Sequence, residues 1–308
     1  MGTHIDAVWA QANGGPRRPA ARRLADVAAR HCFELAGRKP SDVDMLINVG
    51  MYREDSMGEP ALAALIQQDI ASDGSRAAAD GARSGTFSFD LLNGACAPIT
   101  AIQIESGLLK SGVIRLGAVV SSDVQPDTAR GNVLLQPAGG ALLLSWRPDV
   151  AGFTDFGAET FPEYQDLFAS GLVWRGRRGL RVPPQGSGRN RMVITVRPGY
   201  HDRLADCAEE AARRFLRRVG LGVGDIDLLV PAPGSPDFVD PLRARLDLPG
   251  DRVAFTPEDL AGSYTTGLIA ALQAAVRSGR LDEARTVLLL AAGPGVTVAL
   301  ALYRKTAP

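Results

Sequence analysis

Apolar side chains recur at helical spacing between Ala20 and Gly37, at Leu24, Val27, Ala28, Cys32 and Leu35, and the run stops at a glycine, a favoured residue just past a helix C-terminus. That pattern predicts a helix. Five residues after Gly37 comes Asp42-Val43-Asp44-Met45-Leu46-Ile47-Asn48-Val49, a short apolar run of strand type. The second part of the chain repeats these signals in the same order. Leu204, Cys207, Ala208, Ala211, Ala212, Phe215, Leu216 and Val219 form a helical stripe ending at Gly220, and Asp225-Ile226-Asp227-Leu228-Leu229-Val230 follows. Helix, glycine, spacer and a D-[VI]-D strand, twice in one order, predict an internal duplication.

A second pair of blocks sets the register. Ala95 to Gly112 and Gly262 to Gly279 each read as a helix that starts from small residues and ends in Ser-Gly, and each precedes an apolar strand, Leu116 to Val120 and Thr286 to Leu290. Setting Ser111-Gly112 on Ser278-Gly279 places Cys96 opposite Ser263. The run Gly139-Gly140-Ala141-Leu142-Leu143-Leu144 echoes Gly295-Val296-Thr297-Val298-Ala299-Leu300. Strands apolar throughout, alternating with helices, predict an α/β fold whose sheets are covered on both faces. The expected division is a half at 1–150, a connecting segment at 151–189 and a half at 190–308. The connecting segment carries Phe153, Phe156, Phe161, Tyr164, Phe168 and Trp174, read as a cover over the halves or as a ligand stack, and ends in a basic loop from Arg175 to Arg191.

Composition narrows the function classes. With 308 residues, 45% of them hydrophobic, the chain can bury a sizeable core. Thirty-four basic side chains balance 34 acidic ones, so no overall field favours nucleic acid or an anionic membrane. No stretch approaches the roughly 18 apolar residues that span a bilayer, and the start, with His4, Asp6, Arg17 and Arg18, carries no targeting pattern; the expectation is a soluble cytoplasmic protein. Cys32, Cys96 and Cys207 form no CxxC pair and have no clustered histidine, so neither a disulfide framework nor a metal site is signalled. No phosphate-binding or dinucleotide glycine motif is present.

The duplicated halves, the run Phe89-Asp90-Leu91-Leu92-Asn93-Gly94-Ala95-Cys96 opening the third helix, and the turn Gly293-Pro294-Gly295-Val296-Thr297 resemble the thiolase superfamily, and within it β-ketoacyl-ACP synthase III. The resemblance runs from about Ala20 to Arg304, with a shorter N-terminal stretch than that family has before its D-V-D strand. It implies a layered αβαβα architecture, a dimer, no tightly bound cofactor, and an acyl-CoA or phosphopantetheine (acyl carrier protein) thioester as substrate. It also implies that Cys96 is the acyl-accepting nucleophile. A helix N-terminus stabilises a thiolate and is expected to lower the thiol pKa from about 8.5. The other reading of Cys96 is a small buried residue.

The remaining site positions depart from the family. The imidazole position after the second-half strand is Ala232, whose methyl group moves no proton. The asparagine position is Ser263, able to donate one hydrogen bond or to cap the following helix. The family's terminal oxyanion N–H falls at Pro294, which has none. The first-half glycine turn, Gln136 to Ala141, lacks its acidic residue. The three histidines lie elsewhere: His4, His31 within the first helix, and His201 in a loop before one. Two functions fit. The first is a thioester-dependent acyltransferase loaded on Cys96, acting without decarboxylative condensation and in secondary metabolism; its base is the acceptor amine itself, Asp237, Asp240 or Glu258. The second is a non-catalytic ketosynthase-like subunit, homodimeric or paired with an active synthase homologue.

Overall fold

The computed structural model describes residues 2–14, 20–54, 60–72, 85–125, 130–131, 135–148, 152–173 and 191–305. The first half comprises β1 (Gly2–Ala12), α1 (Ala21–Ala36), β2 (Met45–Asn48), α2 (Leu62–Asp69), β3 (Phe87–Asp90), α3 (Ala97–Lys110), β4 (Leu116–Asp123), β5 (Arg130–Gly131) and β6 (Ala138–Arg147). The second comprises β7 (Gly152–Thr160), β8 (Phe168–Val173), β9 (Arg191–Val196), α4 (Tyr200–Arg218), β10 (Leu228–Ala232), α5 (Pro236–Leu246), α6 (Gly267–Arg277), α7 (Arg280–Glu283), β11 (Thr286–Gly293) and β12 (Thr297–Arg304). Among the described residues no helix is long and apolar enough to cross a membrane.

The predicted duplication is visible in the strand order. One nine-stranded sheet runs β10-β11-β12-β7-β1-β6-β4-β2-β3. Outward from its middle, one side reads β1-β6-β4-β2-β3 and the other β7-β12-β11-β10, and the two meet at an antiparallel pair, Thr3 with Phe153. Where β3 flanks β2, a single parallel bridge from Val253 to Leu229 flanks β10. The repeated D-[VI]-D motif has a structural purpose in both halves. Asp44 accepts the backbone N–H groups of Arg115 (2.6 Å) and Leu116 (3.2 Å) at the start of β4, and Asp227 accepts those of Arg285 and Thr286 (both 2.9 Å) at the start of β11. Asp42 and Asp225 accept the N–H of Lys39 and Gly222 in the turns before them.

Side-chain alternation builds the layers. Leu116, Ala118 and Val120 of β4 pack with α1 and α2, while Val119 faces the middle layer. In β11, Leu288 and Leu290 pack with α4 and α5, while Val287, Leu289 and Ala291 face the middle. There α3 (Ile99, Ile102) and α6 (Leu268, Ile269, Leu272) lie against both half-sheets. This is the expected αβαβα stack, and burial on both faces is why the strands read as unbroken apolar runs.

The segment 151–189 differs from the expected connector. Its first part is β7, paired with β12 from Thr160–Thr297 to Gly152–Arg304, so it completes the second half-sheet. One face of β7 meets solvent, which made its polar pattern read as linker. Of the expected cover, Phe153 packs edge-on against Tyr303 and Phe161 is buried, whereas Phe168 borders a cleft. Trp174 and the basic loop to Asn190 lie outside the described residues.

Candidate active site and cleft

The C-terminal ends of β10 and β11 and the turns leading into α3 and α6 converge on one region, as ligand sites of α/β sheets commonly do. A cleft of about 930 Å³ opens there, lined by His201, Asp237, Asp240, Ser263, Tyr264 and Gly293 among others. A second cavity of about 340 Å³ adjoins it, lined by Tyr52, Asn93, Gly94, Tyr264 and Pro294. Phe168 and Tyr264 border both.

Cys96 lies at the expected helix start, immediately before Ala97 of α3, but its environment reverses the expected chemistry. The side chain is fully buried and lines neither cavity. Its thiol donates to the carbonyl oxygens of Ala291 (3.4 Å) and Thr297 (3.3 Å), on β11 and β12. Burial pushes the thiol up to about 12, against a smaller lowering by the backbone N–H of Ala299. A helix N-terminus lowers a thiol pKa when its N–H groups face the sulfur; here the sulfur faces sheet carbonyls. The N–H of Cys96 itself donates to Asn93 O at 3.1 Å.

Ala232 ends β10, is fully buried, and precedes a cis peptide to Pro233, which borders the cleft. Ser263 borders the cleft and is 2% exposed. Its hydroxyl donates to Leu260 O at 2.6 Å, so it caps no helix; α6 starts at Gly267, with Thr266 before it. The Thr266 hydroxyl meets that of Ser121 across the halves at 2.8 Å. Pro294 follows β11 and borders the smaller cavity, its ring 3.5 Å from where a Cβ on Gly94 would stand.

Of the histidines, His4 stands 3.5 Å from Asp6 on β1 and His31 stands 3.3 Å from Glu34 on the exposed face of α1. His201 is not in a loop. It is the second residue of α4, because Gly199 turns the chain with φ of 82° and the helix starts at Tyr200, and its ring borders the cleft. Asp237 and Asp240 border the cleft on one face of α5, whereas Glu258 is exposed and does not line it.

Three features escaped sequence reasoning. Asp123, at the end of β4, is wholly buried and accepts Met51 N (3.0 Å), Tyr52 N (2.8 Å), Thr265 N (2.9 Å) and the Thr265 hydroxyl (2.5 Å). Burial raises its pKa while these donors oppose the rise. Tyr52 and Tyr264 pack with ring centres 5.3 Å apart and planes tilted by 50°. Glu105 on α3 is buried with no side-chain partner for its carboxyl, and burial pushes its pKa well up against a smaller lowering by the backbone N–H of Ala118. The polar ending Ser121-Ser122-Asp123 on an apolar strand was the one available signal.

Residues 216–305 match the family described as 3-oxoacyl-[acyl-carrier-protein (ACP)] synthase III C terminal. The β-ketoacyl-[acyl-carrier-protein] synthase III of Alkalilimnicola ehrlichii is 26% identical over 290 residues, covering 91% of this chain and 83% of that protein. That of Sphingopyxis alaskensis is 26% identical over 286 residues, covering 90% and 81%. Among solved structures, the 3-oxoacyl-[acyl-carrier-protein] synthase III of Aquifex aeolicus superposes with a TM-score of 0.77 at 16% identity, covering 98% of this chain and 100% of that one. The priming β-ketosynthase of a polyketide biosynthetic pathway superposes at 0.75 with 20% identity, covering 99% and 97%. The fold is thiolase-like. The chain is similar to β-ketoacyl-ACP synthase III proteins in sequence over most of its length and in fold.

Proposed function

We propose that this chain is a ketosynthase III-like subunit that no longer loads an acyl group on Cys96 and works as the cytoplasmic partner of an active synthase homologue. The observation that carries this reading is the sealed thiol, which donates to the carbonyls of Ala291 and Thr297 and lines neither cavity. A thiol held at about 12 rather than about 8.5 forms more than about a thousandfold less thiolate near neutral pH. Ala232 offers no base, and Pro294 offers no N–H where loss of one oxyanion donor costs about 2.7 to 4 kcal/mol. The outer edge of β3 supports a partner. It is unpaired among the described residues, Phe87 there is 63% exposed and nearby Leu92 62%, and exposed apolar edges are templates for pairing.

The second reading, acyl transfer from Cys96 to an amine or hydroxyl in secondary metabolism, draws on the position of Cys96 beside Ala95 and Gly293, which border a cleft large enough for a pantetheine arm. One experiment separates the two. The purified chain is incubated with acetyl-, malonyl- and long-chain acyl-CoA and with the corresponding acyl-carrier-protein thioesters, and its intact mass is recorded. No adduct is expected, together with co-purification of a co-expressed synthase that has its cysteine, histidine and asparagine. An adduct that disappears in Cys96→Ala would overturn the subunit reading in favour of acyl transfer.

A further inference from the structure

We infer that Tyr264 is a stopper that divides the cleft in two and closes it off from Cys96, a role that rests on the subunit reading above and explains how the thiol is kept silent. The phenol ring is placed by its neighbours. Thr265 is tied to Asp123 through its N–H and its hydroxyl, Ser263 to Leu260, and the ring packs at a tilt against Tyr52. So held, the phenol oxygen lies over the turn that carries Cys96: a Cβ on Gly94 would stand 2.8 Å from it. Only glycine accommodates that approach, and Gly94 also has a φ of 52°.

The two cavities meet at this ring and at Phe168. The larger reaches Ala95 and Gly293, the smaller reaches Gly94 and Pro294, and Tyr264 borders both. The thiol is one layer below, since a Cβ on Gly293 would stand 3.9 Å from Cys96 Sγ. The cavities already reach Ala95 and Gly94 from either side, so removing the ring joins them over the turn and opens the space directly above the Gly94-Ala95-Cys96 backbone. Tyr264 acts by exclusion, through bulk rather than through its hydroxyl.

The test is alkylation by iodoacetamide at pH 7.5, read by peptide mass spectrometry at Cys96, Cys32 and Cys207, all three buried. Tyr264→Ala is expected to raise the labelling rate of Cys96 at least about tenfold, the gain from one unit of thiol pKa, with Cys32 still protected as the sign of an intact fold. Tyr264→Phe, which keeps the ring, is expected to match the parent. An unchanged Cys96 rate in folded Tyr264→Ala, or opening by Tyr264→Phe, would overturn the stopper. Should Tyr264→Ala expose all three cysteines alike, Tyr264→Leu is read in its place, with the same tenfold expectation; exposure of all three there as well would make Tyr264 a core residue and overturn the proposal. An acyl adduct on the parent's Cys96 would overturn the subunit reading and the stopper together, whereas an unchanged labelling rate in Tyr264→Ala with no adduct on the parent overturns the stopper alone.

Discussion

Asp123 joins the halves at the edge of the cleft, and its replacement by alanine tests that geometry. The carboxylate accepts three backbone N–H groups, those of Tyr52 and Thr265 buried and that of Met51 part-buried, besides a hydroxyl. Each backbone donor left without an acceptor costs about 1–3 kcal/mol, while removing a buried carboxylate returns part of its desolvation cost. The balance is a loss of about 3–5 kcal/mol, a large share of a typical total of about 5–15 kcal/mol. Asp123→Asn keeps one oxygen for Met51 and Tyr52 and turns an amide toward the Thr265 N–H, so it orphans one donor and costs about 1–3 kcal/mol. Urea unfolding followed by far-ultraviolet circular dichroism at pH 7 measures both. The reasoning fails if Asp123→Ala stays within about 1 kcal/mol of the parent, or if asparagine costs as much as alanine.

Glu105 predicts a falling pH dependence. The unfolded chain releases this proton near about 4.3, whereas burial holds it on the native carboxyl well above that. Between the two values the native state binds more protons, so stability drops by about 1.4 kcal/mol per pH unit as pH rises. Asp26, raised to about 8 by burial and by Asp69, contributes with the same sign. The measurement is therefore the difference in urea midpoint between Glu105→Gln and the parent from pH 5 to 8, and parallel curves would refute the assignment. Asp44→Ala and Asp227→Ala are expected to cost about 1–2 kcal/mol each, to agree within about 0.5, and to add in the double variant; strongly unequal losses by urea titration would refute their equivalence.

The duplication was legible because its signals are local. Helix stripes ending at Gly37 and Gly220, both in the left-handed region at φ of 61° and 74°, and the paired D-[VI]-D strands each depend on residues adjacent in the chain. β7 escaped notice because one of its faces meets solvent and its partner strand, β12, comes more than 130 residues later. The start of α6 was set too early, since the small residues from Gly262 to Thr266 form a bonded turn tied to Leu260, Asp123 and Ser121 rather than the first helical turn.

The place of Cys96 just before α3 was legible while its surroundings were not, and the reason is physical. A motif places Cys96 before α3, yet the protonation of its sulfur depends on what it faces. Those groups are the main-chain carbonyls of Ala291 and Thr297, 195 and 201 residues away, and a backbone carbonyl has no side-chain signature. The glycines shared with the family motif answer to packing instead. Gly94 passes beneath Tyr264, and a Cβ on Gly293 would stand 3.5 Å from Ala95 N. Such positions are required by the fold whether or not the thiol reacts, so their presence argues for the scaffold alone. On the proposed reading, reactivity is lost at Ala232 and Pro294, which offer neither a base nor an N–H, and at Tyr264, whose ring covers Gly94.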